Sequence, residues 1–394
     1  MNYHTRLISS LADVNASAWD LLVRQSHAGV LHPALRHAYL LALESSGSAC
    51  SKTGWGPCHL LLQDDAGQLQ AATPLYLKSH SYGEYVFDWA WADAYLRNNL
   101  AYYPKLLSAI PFTPVFGERL LAADAAARAA LCDTLVAFAQ SASQDDSLLG
   151  VQISSLHGLF YSQPGANTLR AQGLLQRCAV QFHWHNRSPE GYGDFPEFLG
   201  VLSQKKRKNI LAERRKVRDS GIAVHAVEGP DMTAAQWAFF YQCYSNTYLA
   251  HQSSPYLTPA FFEELARDMP EQVVVFMAMR GDQPVACSFC LVSDTTLYGR
   301  YWGAAEHIAC LHFETAYYAP LEWAISKGLK SFEGGAQGEH KMSRGFEPVA
   351  AQSVHWLAHP GFADAVERYL NRESAGISAY MSELEAHSPF RQTD

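Results

Sequence analysis

The sequence predicts an α+β protein made of two similar halves in tandem, with a basic helix bridging them and a last helix folded back. Three observations carry this. The chain has 394 residues, more than a single core usually holds. Each half runs in one order, two helices, a strand meander, a helix and a further strand, although sequence identity between the halves is slight. A cation-rich stretch separates them. The expected segments are 1–190, a basic helical connection at 191–221, 222–358, and a helix and tail at 359–394.

Hydrophobic residues make up 48% and charged residues 17% of the chain, so it has the apolar surface of a folded globular protein. No run approaches the roughly 18 apolar residues a membrane span requires, and MNYHTRLISS lacks the apolar core of a signal peptide. A cytoplasmic protein is the expectation. Eight scattered cysteines read as reduced thiols. Cys287 and Cys290 form a C-x-x-C, but in the strand-like PVACSFCLV they point to opposite faces and cannot share a metal; no metal site is expected. A net charge of −8 argues against a dedicated nucleic-acid binder, with one segment as the exception.

Ala16 to Gln25 and Pro33 to Ser45 carry apolar residues at helical spacing, with Gly47 as a stop. After GWGP, CHLLLQ and QLQAATPLYLK on either side of DDAG predict a hairpin, and EYVFDW is expected to add a third strand. The polar loop KSHSYGEY between them offers His80, Tyr82 and Glu84 as candidate substrate contacts. Pro104, Pro111 and Pro114 exclude a regular helix through YYPKLLSAIPFTPVFGERLL. Leu121 to Ala142 predicts a helix, LLGVQISSL a buried strand, Asn167 to Gly173 a short helix, and LLQRCAVQFHWHN a strand. His183 and His185 alternate onto one face of that strand. No third ligand follows at a recognisable spacing, so they read as site-lining or hydrogen-bonded.

The basic stretch is FPEFLGVLSQKKRKNILAERRKVRDSG, ended by Gly221. Between Ser203 and Arg218 eight cations stand against the single acid Glu213. Ile210, Leu211 and Val217 form a thin apolar stripe, which predicts a helix docked along one side. Its outer face is either merely solvated or contacts phosphate, with Lys205, Lys206, Arg207 and Lys208 as the candidate carrier-binding group.

The second half opens with the strand IAVHAVEG and the helices TAAQWAFFYQCYSNTYL and TPAFFEELARDM. Three strands follow, EQVVVFMAMR, PVACSFCLVS and TLYGRYWG, joined by the turns GDQ and SDT. Helix HFETAYYAPLEWAISKG leads into LKSFEGG, and Pro360 to Glu385 forms the last helix. Tyr298 to Phe346 concentrates aromatic, cationic and acidic side chains, either as a buried unit that pairs its own polar tips or, the reading preferred here, as a wall facing a ligand.

The element order in each half is that of the acyltransferase fold of the Gcn5-related N-acetyltransferases (GNAT). At YGRYWG, LHFETAYYAPLEWAISKGL and above all FEGGAQGEHKMSRGFEP, the sequence resembles the FemAB-like family of N-acyltransferases. The likeness continues at GWGP, PLYLKSHSYGEYVFDWAWADAY, QFHWHN and SQKKRKNILAERRKV and covers nearly the whole chain. Where the family pattern tends to have Cys, this chain has Ala316, and no thiol chemistry is assigned there. Through kinship with the Fem enzymes, which move amino acids from aminoacyl-tRNA to the peptide bridges of cell-wall precursors, the resemblance implies a tandem GNAT fold and transfer of an acyl or aminoacyl group to an amine. It leaves the donor open.

Such transfer needs a neutral nucleophile, donors aimed at the developing oxyanion, and an anchored carrier. No Ser-His-Asp or Cys-His arrangement is evident, so the amine is expected to attack directly, without a covalent enzyme intermediate. Coenzyme A is ordinarily held where a glycine-rich loop opens a helix. Here that position reads AAEHIACLHFE, with no glycine between Gly303 and Gly328. This favours aminoacyl-tRNA over acyl-CoA as cosubstrate; no tightly bound cofactor is expected, and tRNA is a candidate partner. A glycine-rich loop does occur at Gly334, Gly335 and Gly338, where Gln337, Lys341 and Arg344 are candidate substrate contacts.

Glu314, Glu333 and His340 are the candidate general bases. Tyr298, Arg300 and Trp302 are expected on one strand face as a substrate wall, with His312 nearby. His312 and Glu314, two apart on a helix, do not face each other. The acceptor is expected to be an amine of a peptide, an amino acid or a cell-envelope precursor. The alternative is a non-catalytic module that recognises peptidoglycan-type ligands.

Overall fold

A polar cap sets where the first helix begins. Strand β1 (His4–Ile8) is followed by α1 (Ala16–Ser26), whose first turn is closed by the Asn15 side chain accepting from the Ala18 N–H. Next come α2 (His37–Ser45), β2 (Trp55–Pro57), β3 (His59–Gln63), β4 (Leu69–Thr73) and β5 (Tyr76–Lys78). The computed structural model describes residues 2–187, 190–336 and 338–391. The third strand expected at EYVFDW is absent: Ser81 to Asp88 is a loop, and α3 (Trp89–Arg97) follows it. The loop turns inward because Glu84 and Asp88 bind a buried lysine, a tertiary effect that local β propensity does not carry.

Then follow β6 (Lys105–Ser108), β7 (Leu121–Ala122) and α4 (Ala125–Ala142), which starts later than expected because Asp124 caps it through the Ala127 N–H. Strand β8 (Ser155–Tyr161) takes only the end of LLGVQISSL and runs on through HGLFY. Helix α5 (Gln163–Ala171) and β9 (Leu175–His185) close this half.

The basic stretch folds as α6 (Phe195–Val201) and α7 (Gln204–Asp219). After β10 (Ala223–Glu228) come α8 (Ala234–Ala250), opened by a Thr233/Gln236 capping box, and α9 (Pro259–Asp268). The meander is β11 (Val273–Arg280), β12 (Gln283–Val292) and β13 (Thr296–Ala304). The next helix is interrupted: α10 (Leu311–Phe313), a π-helical turn (Glu314–Tyr318) and α11 (Ala319–Ser326). Strands β14 (Ser331–Glu333) and β15 (Glu347–Leu357) and helix α12 (Pro360–Ala386) complete the chain.

The chain forms two compact units, residues 1–179 with 350–380 and residues 180–349 with 381–394. The first holds a four-stranded sheet, β1-β3-β4-β7, and a second sheet in the order β2-β5-β6-β8-β15, where β6 and β8 run parallel on either side of α4 in sequence. Its core gathers Leu60, Leu62, Leu106, Leu131, Leu135, Leu156 and their neighbours beneath α4. The second unit orders its strands β10-β11-β12-β13-β14-β9, with β13 and β14 parallel. Phe240, Tyr244, Phe262 and Phe289 stack beneath its meander. Each unit thus finishes its sheet with a strand from the other half of the sequence.

Candidate active site

Strand β13 is irregular where the site would lie. Tyr301 pairs with Phe289 and Gly299 with Cys290, so Arg300 is an extra residue, a β-bulge. Tyr298 stands opposite Leu291 and Trp302 opposite Ser288. Positions 288 and 291 lie on opposite faces of β12, so Tyr298 and Trp302 do too. The expected wall of Tyr298, Arg300 and Trp302 is therefore corrected, because the bulge breaks the alternation. Arg300 keeps to the Tyr301 side, its guanidinium 5.1 Å from that ring.

On the Tyr298 face the register builds a row. Tyr298 is the parallel partner of Glu333, and Glu333 the antiparallel partner of His183. Directly opposed residues on neighbouring strands share a face, so a phenol, a carboxylate and an imidazole stand side by side, all three buried. Burial pushes His183 down to about 3, with His185 and Lys341 adding to the effect, so its imidazole is neutral at neutral pH. Gln181 Oε1 lies 3.3 Å from its Nε2. His185 keeps its ring 6.4 Å from that of His183 but is exposed.

Beyond Glu333 the backbone is glycine where the strands part. A Cβ on Gly335 (φ +84) would sit 3.6 Å from the Gly299 carbonyl, so the two backbones run close together. Lys341, buried, donates from Nζ to the Gly335 carbonyl at 2.9 Å, and burial lowers its ammonium to about 8. An ammonium charge is thereby held at the end of the parallel pair.

A second cluster occupies the Trp302 face. The Trp302 ring meets His312 at 4.7 Å, and His312 lies 5.4 Å from Tyr317 and 6.2 Å from His340. The Tyr317 hydroxyl and His340 Nε2 are 3.1 Å apart. Burial, then His340, Arg344 and Lys341, push His312 down to about 4, and burial also lowers His340. Arg344 stacks its guanidinium 3.5 Å from the centre of the Phe313 ring and donates to the His340 carbonyl at 2.6 Å. The three candidate bases are thus distributed: Glu333 stands in the strand row, His340 in this cluster, and Glu314 in the π-helical turn, held by Arg214 from α7 at 2.9 and 3.1 Å. Burial raises the Glu314 carboxyl and Arg214 opposes it. A carboxylate so bound is committed to holding the helix.

Helix α7 turns Lys206, Ile210, Glu213, Arg214 and Val217 inward. Lys206 donates to Ser343 Oγ at 2.8 Å, and Glu213 accepts from the Tyr318 hydroxyl and from Arg344 at 3.0 Å. Leu211, expected in the apolar stripe, is 48% exposed. The four cations at 205–208 do not share a face: Lys205 and Lys208 are exposed with Arg215 and Arg218, whereas Lys206 is spent on Ser343. The helical period sorts them.

The remaining candidates lie in the first unit. His80 Nε2 donates to the Thr53 carbonyl at 3.0 Å, Tyr82 is exposed, and Glu84 is buried against Lys105 at 2.8 Å. The His80 and Tyr82 rings meet at 5.3 Å near the surface, whereas Glu84 is turned into the interior. Gln337 lies outside the described residues. Sequence reasoning missed Tyr317, and it noted Glu213 only as the lone acid of the basic stretch; both take their roles from tertiary contacts. It also missed Lys78 and Lys105, each a lone lysine in an apolar strand run, which is a legible signal.

Units of this element order, each with a helix spanning a parallel strand pair, define a tandem GNAT-type fold. The chain belongs to the FemAB-like family, described by peptidoglycan biosynthesis/recognition, whose pattern it matches over residues 10–392. FemX is similar in fold, with 11% identity, 93% of this chain and 100% of that one covered and a TM-score of 0.53. So is the C-terminal domain assigned to a lysylphosphatidylglycerol synthetase of Agrobacterium fabrum, at 10% identity, 92% and 97% coverage and a TM-score of 0.52. A conserved protein of unknown function from Bacteroides thetaiotaomicron matches at 10% identity, 90% and 100% coverage and a TM-score of 0.50. No curated protein matches the chain significantly by sequence. Among the described residues no helix is long and apolar enough to cross a membrane.

Proposed function

We propose that the chain is an N-acyl or aminoacyl transferase that forms an amide on an amine of a peptide, an amino acid or a cell-envelope precursor. The observation that carries this is the row Tyr298, Glu333, His183 at the end of the parallel pair β13/β14, with glycine backbone and the Lys341 ammonium beside it. The amine nitrogen attacks the acyl carbonyl directly. Glu333 takes the proton the nitrogen loses, the carbonyl oxygen gains its negative charge near Lys341, and as the tetrahedral species collapses the proton passes from Glu333 to the departing oxygen or sulfur, which leaves as the carrier's hydroxyl or thiol. Neutral His183 and the Tyr298 phenol orient the carboxylate. FemAB-like membership supports a cell-envelope acceptor, and the exposed cations of α7 support a polyanionic carrier such as aminoacyl-tRNA, with acyl-CoA as the second donor.

The test supplies the full chain with amine acceptors and either charged tRNA or acyl-CoA, and weighs the acceptors. Mass gain with charged tRNA, weakened by salt and by Lys205→Ala with Lys208→Ala, is the expected result. Mass gain and thiol release with acyl-CoA alone would assign the second donor. No transfer from either would leave the recognition module of the family description.

A further inference from the structure

The first unit buries a set of charges that the proposed reaction does not use. Lys78 on β5 and Lys105 on β6 are direct antiparallel partners, and both side chains are fully buried. Two like charges opposed across a ladder and removed from water are destabilising unless they are neutralised. Both neutralising groups come from the loop before α3. Lys105 Nζ donates to Glu84 Oε2 at 2.8 Å, to Ser81 Oγ at 2.8 Å and to Asp88.

The fit is incomplete. Lys78 Nζ stays 3.9 Å from Glu84 Oε1, its hydrogen bond to the Tyr82 carbonyl is 3.4 Å long, and its charge rests over the Trp55 ring at 3.5 Å from the centre. Glu84 Oε1 and Asp88 Oδ1 are buried without a hydrogen-bond partner among the described residues. Burial pulls Lys78 down to about 7 and pushes Glu84 up to about 7. Burial would also lower Lys105, but Glu84 and Asp88 hold it up. Hydroxyls stand around the same point: Ser81 bonds Tyr103 at 2.8 Å, and Tyr102 donates to Asp88 at 2.6 Å.

The loop has features of a removable cover. Ser81 to Asp88 contains no helix or strand, Tyr85 holds a positive φ of 61°, and the outward side chains Tyr82 and Phe87 are 57% and 55% exposed.

We infer that Lys78 and Lys105 form an anion-binding site in the first unit, shut in this structure by the chain's own Glu84 and Asp88, and that its ligand is a compact dianion. The charge follows from neutrality: two ammonium groups now face two carboxylates, and a ligand displacing both must bring two negative charges. A phosphate monoester and a small dicarboxylate both supply them, and the hydroxyls of Ser81, Tyr102 and Tyr103 suit either.

The experiment titrates the full chain by calorimetry with inorganic phosphate and, separately, malonate, at constant ionic strength with chloride as reference. It uses wild type and Glu84→Gln, which removes one competing charge and keeps the shape. Binding of either probe is expected, about tenfold tighter in Glu84→Gln, the ratio that one pKa unit of interaction represents. The probe that binds identifies the ligand as phosphate ester or dicarboxylate. Hydrogen exchange of residues 79–88 in wild type is expected to rise at saturating anion, a readout that stands even if the variant fails to fold. Absence of binding to both proteins, or equal binding with unchanged exchange in that segment, would overturn the inference. The transfer site takes no part in the test.

Discussion

The two parallel strand pairs show how one scaffold is put to different uses. At the end of β13/β14 a single carboxylate stands between a phenol and an imidazole, and glycine follows it. Across β6/β8 the corresponding rows carry Lys105 and then His157, and they are sealed. The Trp91 and Tyr102 rings lie against His157, Lys105 Nζ is 5.4 Å from the Tyr102 ring centre, and His157 Nδ1 meets His355 Nδ1 at 2.7 Å. Ser155 and Tyr102 bond the other nitrogen of His157, at 2.8 and 3.2 Å. The lesson is that the fold supplies a pair of parting strands, while the residues next to the parting decide whether backbone approaches there or charge is buried.

The contrast breaks first at Lys105. Lys105→Met leaves the buried Glu84 and Asp88 with Lys78 as the one nearby ammonium, so unfolding free energy should fall by about 3–5 kcal/mol in denaturant titration. A loss below about 1 kcal/mol would mean that water already screens the network.

Acid provides a second lever, acting on both units. His157 and His183 are pushed down to about 3, and His27 and His312 to about 4, in each case chiefly by burial. Below the ordinary imidazole value near 6.5 the unfolded chain takes up protons that the folded chain refuses, so stability falls as pH falls toward 4. The slope is about 1.4 kcal/mol per pH unit per histidine. Melting temperatures measured from pH 7 to pH 4.5 should drop steadily, and less steeply in His157→Gln or His183→Gln; a flat profile would contradict the burial of these rings.

A smaller effect is expected at α7. Glu213→Gln removes the charged acceptor of Tyr318 and Arg344 and should cost about 1–2 kcal/mol by thermal melting. Lys205→Ala with Lys208→Ala, on the exposed face, should change stability by less than about 0.5 kcal/mol while weakening any polyanion complex and making its salt dependence shallower.

Much of the fold was legible because its signals are local. The meander from Val273 to Ala304 alternates in period two between short turns, and the basic helix stops at Gly221. What escaped was set by tertiary contact. EYVFDW reads as a strand by composition, but Glu84 and Asp88 are drawn inward by Lys105, a residue some twenty positions on. The bulge at Arg300 leaves no mark in YGRYWG, and one extra residue was enough to move Trp302 to the other face. Glu333, His183 and Tyr298 were each singled out, whereas their standing in one row depends on the pairing of three strands distant in sequence. Glu314 was also singled out, whereas its contact with Arg214, a hundred positions away in sequence, could not be read locally.

The most direct test compares Glu333→Gln with His340→Ala, since the two residues belong to clusters on different faces. Transfer to an amine acceptor is followed by mass, with melting temperature as the control for folding. The account predicts that Glu333→Gln loses at least about a hundredfold in turnover, as removal of a general base does, while His340→Ala stays within about tenfold of wild type. Full activity in Glu333→Gln, with loss confined to His340→Ala, would place the chemistry on the other face of the sheet and contradict it.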